Sequence, residues 1–384
     1  MKRNITILVI VSLIAGTYWS LIYPIYQPFA LSLGISMTLL GFLEAIRGRM
    51  GLLSTLSQLF GGFLADKYGR KIMMIISSFT TIIGLTLHLS AAYFNSIPIF
   101  IAGSIIIASS FLGSPAWSTL TMESTSKDKR GLALSLTMFM NIAPGVIFSP
   151  IGGWISQIYN YSVIFTISVI METICFITML LFLSETIERK QIETKLKDLL
   201  INLMPKKKEL RKLYFVMTID TFAWGLGSTL LYGALVKYYN FTNFELGVLS
   251  SIFSASWALT QIPAGKIADK YGAKKTLIIS ELLGAITLTL WLIAKDFTTF
   301  AISHVIFGTS PALWIPAINM YTAEKAPKGK IASTIGGLSA FRGLISFPAP
   351  YIGGMLYDLA GYHLPITLNF TGTIIALIMM IFLL

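Results

Sequence analysis

The sequence predicts an all-α membrane protein with twelve transmembrane helices, arranged as two six-helix bundles related by pseudo-twofold symmetry. Three observations predict it. Of 384 residues, 55% are apolar and only 12% are charged, against about 25% charged in an ordinary soluble domain. Apolar runs long enough to cross a bilayer, about 20 residues each, recur along the whole chain. The second half also repeats landmarks of the first at a nearly constant spacing. The runs lack the alternation of a membrane β-barrel. A single cysteine, Cys175, excludes a disulfide framework and any cysteine-based zinc or iron–sulfur site.

In order, the spans begin near Ile5, Leu39, Ile72, Ile97, Leu132, Tyr161, Leu213, Phe244, Thr276, Thr299, Ile331 and Tyr362. The first follows Met1-Lys2-Arg3 as a signal peptide would, but its apolar run reaches about Leu33 without a small-residue cleavage site. It is read as a retained helix. With the amino terminus inside, the inner loops hold 24 of the 29 Lys and Arg residues, nine of them between Arg189 and Lys212. The positive-inside rule then places both termini in the cytoplasm and the chain in the cytoplasmic membrane. The net charge of +12 accordingly faces anionic lipid headgroups rather than nucleic acid.

The longest polar stretch divides the chain into an N-terminal bundle (residues 1–184), a cytoplasmic central loop (185–212) and a C-terminal bundle (213–384). Ile192, Leu196, Leu199, Leu200 and Leu203 in that loop suit a short helix along the inner surface. The two halves match. Gly62-Phe-Leu-Ala-Asp66-Lys-Tyr-Gly69-Arg70-Lys71 recurs as Gly265-Lys-Ile-Ala-Asp269-Lys-Tyr-Gly272-Ala273-Lys274. Asp66 and Asp269, like Gln58 and Gln261, are 203 residues apart. Gly152-Gly153 and Gly353-Gly354, like Glu123 and Glu324, are 201 apart. A duplicated six-helix unit points to alternating access between two halves.

The segment Gly62 to Lys71 resembles the G-x-L-A-D-[RK]-x-G-R-[RK] motif of the major facilitator superfamily, between the second and third spans as in that family. The resemblance covers the spans, the repeat and the central loop. It implies a secondary transporter rather than an enzyme, carrying a small organic solute without a cofactor or metal, as a monomer. In the family, Asp66 would accept hydrogen bonds from the start of the eleventh helix, where the macrodipole favours negative charge. Arg70 would pair with Glu123, with Lys71 closing the basic end of the motif. Gly62 would allow close helix approach, and Gly69 a tight turn. The second copy keeps Gly265, Asp269 and Gly272 but has Ala273 in place of the arginine. Glu324 is left to Lys274 or Lys275, point charges without a planar fork, so this latch is expected to be weaker. The alternative is a positive-inside loop with a helix cap.

Ionisable residues within the spans are Glu44, Arg47, Arg49, His88, Glu172, Asp220, Glu281, His304 and Arg342, each costing roughly 2.5–3.5 kcal/mol to insert. Asp220 and Glu281 lie within about two turns of the inner surface, where they can reach headgroups. His88 is read as structural. Arg342 lies near the midplane, and its repeat counterpart Asn141 occupies the same depth. It is either a substrate or coupling residue or a member of a structural ion pair. Glu44 and Arg47, roughly 60° apart on one helix, can pair. With Arg49 and three extra residues in the second span, read as an added turn, they mark an outer gate. Alternatively, Arg47 and Arg49 snorkel to headgroups. His304 has a side chain that titrates near neutrality and is a coupling candidate.

Neither half keeps the R-x-x-x-G arginine that many efflux members of the family carry. Pro144-Gly145 through Gly152-Gly153, and Pro348 through Gly353-Gly354, resemble its antiporter motif G-P-x-x-G-G, and their prolines should bend both helices. Tyr18, Trp19, Tyr23, Tyr26, Gln27, Trp117, Trp224, Tyr232, Trp257, Gln261, Trp314 and Asn319 concentrate in spans expected to line a cavity. Such a lining suits a moderately hydrophobic or cationic organic molecule, or a sugar. Protons are the expected coupling ion, and export is favoured over uptake. The alternatives are uptake of a sugar or organic anion using Arg342, and a polytopic membrane enzyme. No nucleophile–base pair supports the latter. The absence of a G-x-x-x-x-G-K-[ST] loop argues against an ATP-driven pump.

Overall fold

A computed structural model of the chain describes residues 2–48, 50–126, 129–186, 204–205, 207–327 and 331–384. Every regular element among them is helical. In chain order they are α1 (Lys2–Ile22), α2 (Tyr26–Ser32), α3 (Met37–Arg47), α4 (Leu52–Tyr68), α5 (Arg70–Phe94), α6 (Ile97–Ser110), α7 (Ser114–Glu123), α8 (Arg130–Ile142) and α9 (Gly145–Ile158). There follow α10 (Tyr161–Phe182), α11 (Lys208–Gly227), α12 (Leu231–Tyr239), α13 (Asn243–Tyr271), α14 (Ala273–Ile293), α15 (Phe297–Lys325), α16 (Ile331–Ser346), α17 (Ala349–Ala360) and α18 (His363–Leu383). Among the described residues, 8 helical stretches are long and apolar enough to cross a membrane. Arg49 and the surface helix expected around Ile192 to Leu203 lie outside the described residues.

Two compact units emerge. The first comprises Met1–Ile35, Ile46–Leu196 and Thr242–Val248; the second comprises Ser36–Ala45, Lys197–Phe241 and Leu249–Leu384. In the first, α10 packs between α1 and α5, and α5 against α6. In the second, α18 packs between α11 and α14, and α14 against α15. The repeat read from the sequence is thus a repeat of packing. Its cores correspond too: Leu8, Met73, Leu120 and Met179 in the first unit, Leu213, Leu277, Tyr321 and Met380 in the second.

Small residues decide what sits on α9 and α17. A Cβ on Gly152 would run into the Leu21 carbonyl of α1, and one on Gly353 into the Leu226 carbonyl of α11. The second glycine of each pair faces the other way. Gly153 accommodates the Asn243 carbonyl and Gly354 the Met37 carbonyl. Each glycine pair therefore seats a helix of its own half on one side, and the opening of a helix from the other half on the other. This is why Ser36–Ala45 is counted with the second unit and Thr242–Val248 with the first.

Breaks fall where the sequence cannot continue a helix. Pro24, Pro144 and Pro348 lie between α1 and α2, α8 and α9, and α16 and α17, each lacking the N–H a helix would use. The extra residues of the second span do not add a helical turn as expected. α3 stops at Arg47, the Gly51 N–H bonds back to the Gly48 carbonyl at 2.7 Å, and Ser54 caps the Arg47 carbonyl at 2.8 Å. Two glycines in four residues favour a turn over a helix, and the insertion is a break.

Candidate functional site

The Gly62–Lys71 segment is built around Arg70, which is buried. Its Nη2 contacts Asp66 at 2.8 Å and Glu123 at 3.4 Å, and its Nη1 donates to the Ala65 carbonyl at 3.0 Å. Glu185, which the sequence reading overlooked, completes the cluster. Its carboxylate accepts the backbone N–H groups of Arg70 (3.1 Å) and Lys71 (3.0 Å), capping the start of α5. Lys71 donates to the Leu180 carbonyl at 2.9 Å. Gly69, at φ 115°, takes the left-handed region that only glycine enters freely, with Glu185 where a Cβ would stand. The close helix approach belongs to Gly61 rather than Gly62. A Cβ on Gly61 would collide with the Leu112 carbonyl, whereas one on Gly62 would make ordinary contact with Pro115.

The second copy is looser. Gly272 also has positive φ, 82°, but neither it nor Gly265 has a neighbour where a Cβ would stand. Asp269 and Glu324 are exposed. Lys274 donates to the Ile381 carbonyl at 2.9 Å, and no described ion pair joins it to Glu324.

Within the second unit, Asp220, Glu281 and Arg342 come together. They belong to α11, α14 and α16, and are 4%, 3% and 8% exposed. Neither acid reaches toward headgroups, which corrects the expectation for both. Glu281 and Asp220 are neighbours, and the Arg342 charge acts on both, although no ion pair or hydrogen bond joins Arg342 to either among the described residues. Asp220 Oδ1 and Glu281 Oε1 are buried with no donor. Arg342 donates from Nε to Thr221 Oγ1 at 2.7 Å and lies 4.6 Å above the Trp314 ring. Its repeat counterpart Asn141 is exposed, so the two positions differ in surroundings.

An aromatic wall adjoins this cluster. Trp224, one turn beyond Asp220, stacks on Phe307 at 5.7 Å and 12°. Phe307 meets Phe253 at 4.8 Å, and Phe253 meets Trp257 at 5.5 Å. Trp224, Phe253, Trp257, Phe307 and Trp314 are half-buried, as is Gln261. His304 stands behind the wall, fully buried, with Nδ1 at 2.7 Å from the Phe300 carbonyl and Tyr232 stacked at 6.2 Å. A carbonyl only accepts, so Nδ1 carries the proton.

The N-terminal candidates scatter. Tyr18 and Tyr26 turn into the unit's interior instead of lining a cavity: Tyr18 hydrogen-bonds Glu172 at 2.8 Å, and Tyr26 hydrogen-bonds Ser104 at 2.7 Å. His88 is a core residue, its Nε2 at 3.1 Å from Ser104. Arg47 packs its guanidinium 3.6 Å from the Tyr26 ring centroid, a cation–π contact. Glu44 is buried, Trp117 and Gln27 are half-buried, and Tyr23 is 61% exposed at the turn after α1.

Helical, apolar and built twice from one packing plan, with ionisable side chains buried in both units, the chain has the build of a membrane carrier. It belongs to the Major Facilitator Superfamily, whose family model matches residues 8–216 and 213–384. It is similar to the multi-drug resistance efflux pump PmrA of Streptococcus pneumoniae, with 24% identity over 376 residues covering 94% of this chain and 91% of that one. It is also similar to the multidrug resistance protein MdtG of Enterobacter lignolyticus, 22% identical over 373 residues, covering 94% and 87%. In fold it resembles a crystal structure of a D-xylose–proton symporter, with a TM-score of 0.75 over 98% of this chain and 96% of that one at 15% identity.

Proposed function

We propose that this protein is a secondary transporter of the cytoplasmic membrane that exports amphiphilic organic molecules, organic cations foremost, in exchange for protons. Twelve spans and cytoplasmic termini, with the two halves rocking about a midplane site, complete the reading. The carrying observation is a charge count. Asp220 and Glu281 bring two buried carboxyls against one guanidinium, Arg342. One carboxylate can be neutralised by the arginine, and the other needs a second positive charge. A proton supplies it, and so does an organic cation resting on the Trp224–Phe307 wall. Two ligands competing for one buried charge is the elementary condition for exchange: substrate leaves as the proton arrives. Arg342 already bonds Thr221, lies over Trp314 and feels the charge of both acids, which argues against its use for an anion or sugar. The names of the efflux relatives support export.

In the same reading, Arg70, Asp66 and Glu123 form the inner latch, and the looser second copy contributes less. The test uses proteoliposomes with an imposed pH gradient and ethidium as the probe. Ethidium should accumulate against its gradient while collapsing the pH difference, and Asp220→Asn or Glu281→Gln should uncouple the two. Accumulation that ignores the pH gradient would refute proton exchange.

A further inference from the structure

The first unit holds a buried acid that the exchange above leaves without a role. Glu172, in the middle of α10, is 5% exposed. Three elements pack on α10: α5, α1 and α9. From α1, the Tyr18 hydroxyl donates to Glu172 Oε2 at 2.8 Å; from α5, the Ser78 hydroxyl donates to Oε1. The other titratable groups are few. On α10 itself the Cys175 thiol lies about one turn away, directed at the Val11 carbonyl. On α5, His88 is ten residues beyond Ser78, about 15 Å along the helix, and bonds Ser104. On α1, the nearest cation to Tyr18 in sequence is Arg3, whose guanidinium lies over Phe182 at the far end of α10. α9 carries no titratable side chain. Among the described residues, no Lys, Arg or His forms an ion pair with Glu172.

The repeat gives this acid a second meaning. At the 203-residue spacing Ser78 corresponds to Glu281, and at the 201-residue spacing Glu172 corresponds to Thr373. By spacing, an acid falls on α10 in the first half and on α14 in the second, and α10 packs on α5 as α18 packs on α14. Like Asp220 and Glu281, Glu172 is a buried carboxyl that no ion pair reaches among the described residues. An ionised carboxylate without a cation in an apolar interior is strongly disfavoured, but two hydroxyl donors can hold it transiently once its proton leaves.

We propose that Glu172 is a second proton-binding site, loaded and emptied during transport, with Tyr18 and Ser78 as the donors that hold the deprotonated form. It rests on the proton-exchange reading for its use, though not for its existence. A carboxylate and two hydroxyls offer too few oxygens to enclose a sodium ion, so a proton is the ligand.

The test is infrared spectroscopy of the purified full chain in lipid, titrated from acid to alkaline buffer with and without sodium. The parent should show a protonated-carboxyl C=O band that disappears with rising pH. Glu172→Gln should lose it, Glu172→Asp should keep a band with a shifted midpoint, and Asp220→Asn combined with Glu281→Gln should leave it in place. In proteoliposomes, Glu172→Gln should lower the proton-to-substrate ratio by one while ethidium binding persists. A band unchanged in Glu172→Gln, one that never titrates, or one that responds to sodium overturns the proposal. A titrating Glu172 band in a protein indifferent to pH gradients would instead leave the site standing and remove the exchange reading.

Discussion

Replacing Arg342 with Gln removes the guanidinium facing Asp220 and Glu281 while keeping a donor that can still reach Thr221. The neutral hydrogen bond, about 0.5–1.5 kcal/mol, is thereby largely retained, and the charge loss is isolated. Taking the cation out of this buried charge cluster should cost about 3–5 kcal/mol, as when a buried pair loses one member, because the acids are left uncompensated. For a unit of 150–250 residues, at about 2–4 °C per kcal/mol, the melting temperature should fall by about 6–20 °C. Cys175 is the one thiol and it is buried, so a thiol-reactive dye in detergent reports the melt directly. Adding Glu281→Gln to Arg342→Gln removes an acid along with the base and should restore stability, with an interaction energy of about 0.5–3 kcal/mol. Both variants should lose proton-driven accumulation. If Arg342→Gln melts with the parent, there is no pair. If the double variant loses the sum of both singles, Glu281 is not the partner and the charge count behind the exchange reading fails.

Asp66→Asn should reduce transport more than Asp269→Asn, since Asp66 sits 2.8 Å from a buried arginine while Asp269 is exposed; equal uptake curves for the two variants would refute the inequality of the latches. Glu185→Ala should destabilise the first unit by about 0.5–2 kcal/mol, the usual worth of a helix cap, because two N–H groups of α5 lose their acceptor. A dye melt within error of the parent would show that the cap is dispensable.

The helical, duplicated architecture is legible because it follows from quantities a sequence carries in full: apolar run length and the spacing from Asp66 to Asp269. Which way a side chain points was harder. In a helix apolar on every side, such as α5 or α10, no polar stripe separates the lipid face from the packed face. Sequence spacing therefore does not show that Glu281 and Asp220 are neighbours, or that Tyr18 faces Glu172 rather than a cavity. The break at Gly48–Gly51 was read as a lengthening because an insertion of three residues nearly completes a helical turn. Only the two glycines hinted otherwise. Glu185 gave no signal at all, since its partners are backbone N–H groups about 115 residues earlier.

The repeat carries a further argument about what the polar residues are for. If the buried acids served packing alone, duplication would leave each with a cation or remove it, because an uncompensated charge in an apolar interior only destabilises. Arg342 could have balanced a single acid, yet two carboxyls face it. Glu172 could have become Thr, as position 373 has it, yet it remains a carboxyl between Tyr18 and Ser78. In both units a buried carboxyl stands without an ion pair among the described residues, and the helices supplying it differ. A group neutralised only when something is bound to it has no structural advantage over a hydroxyl. What it gains is the ability to tell an occupied carrier from an empty one, which the proposed exchange requires.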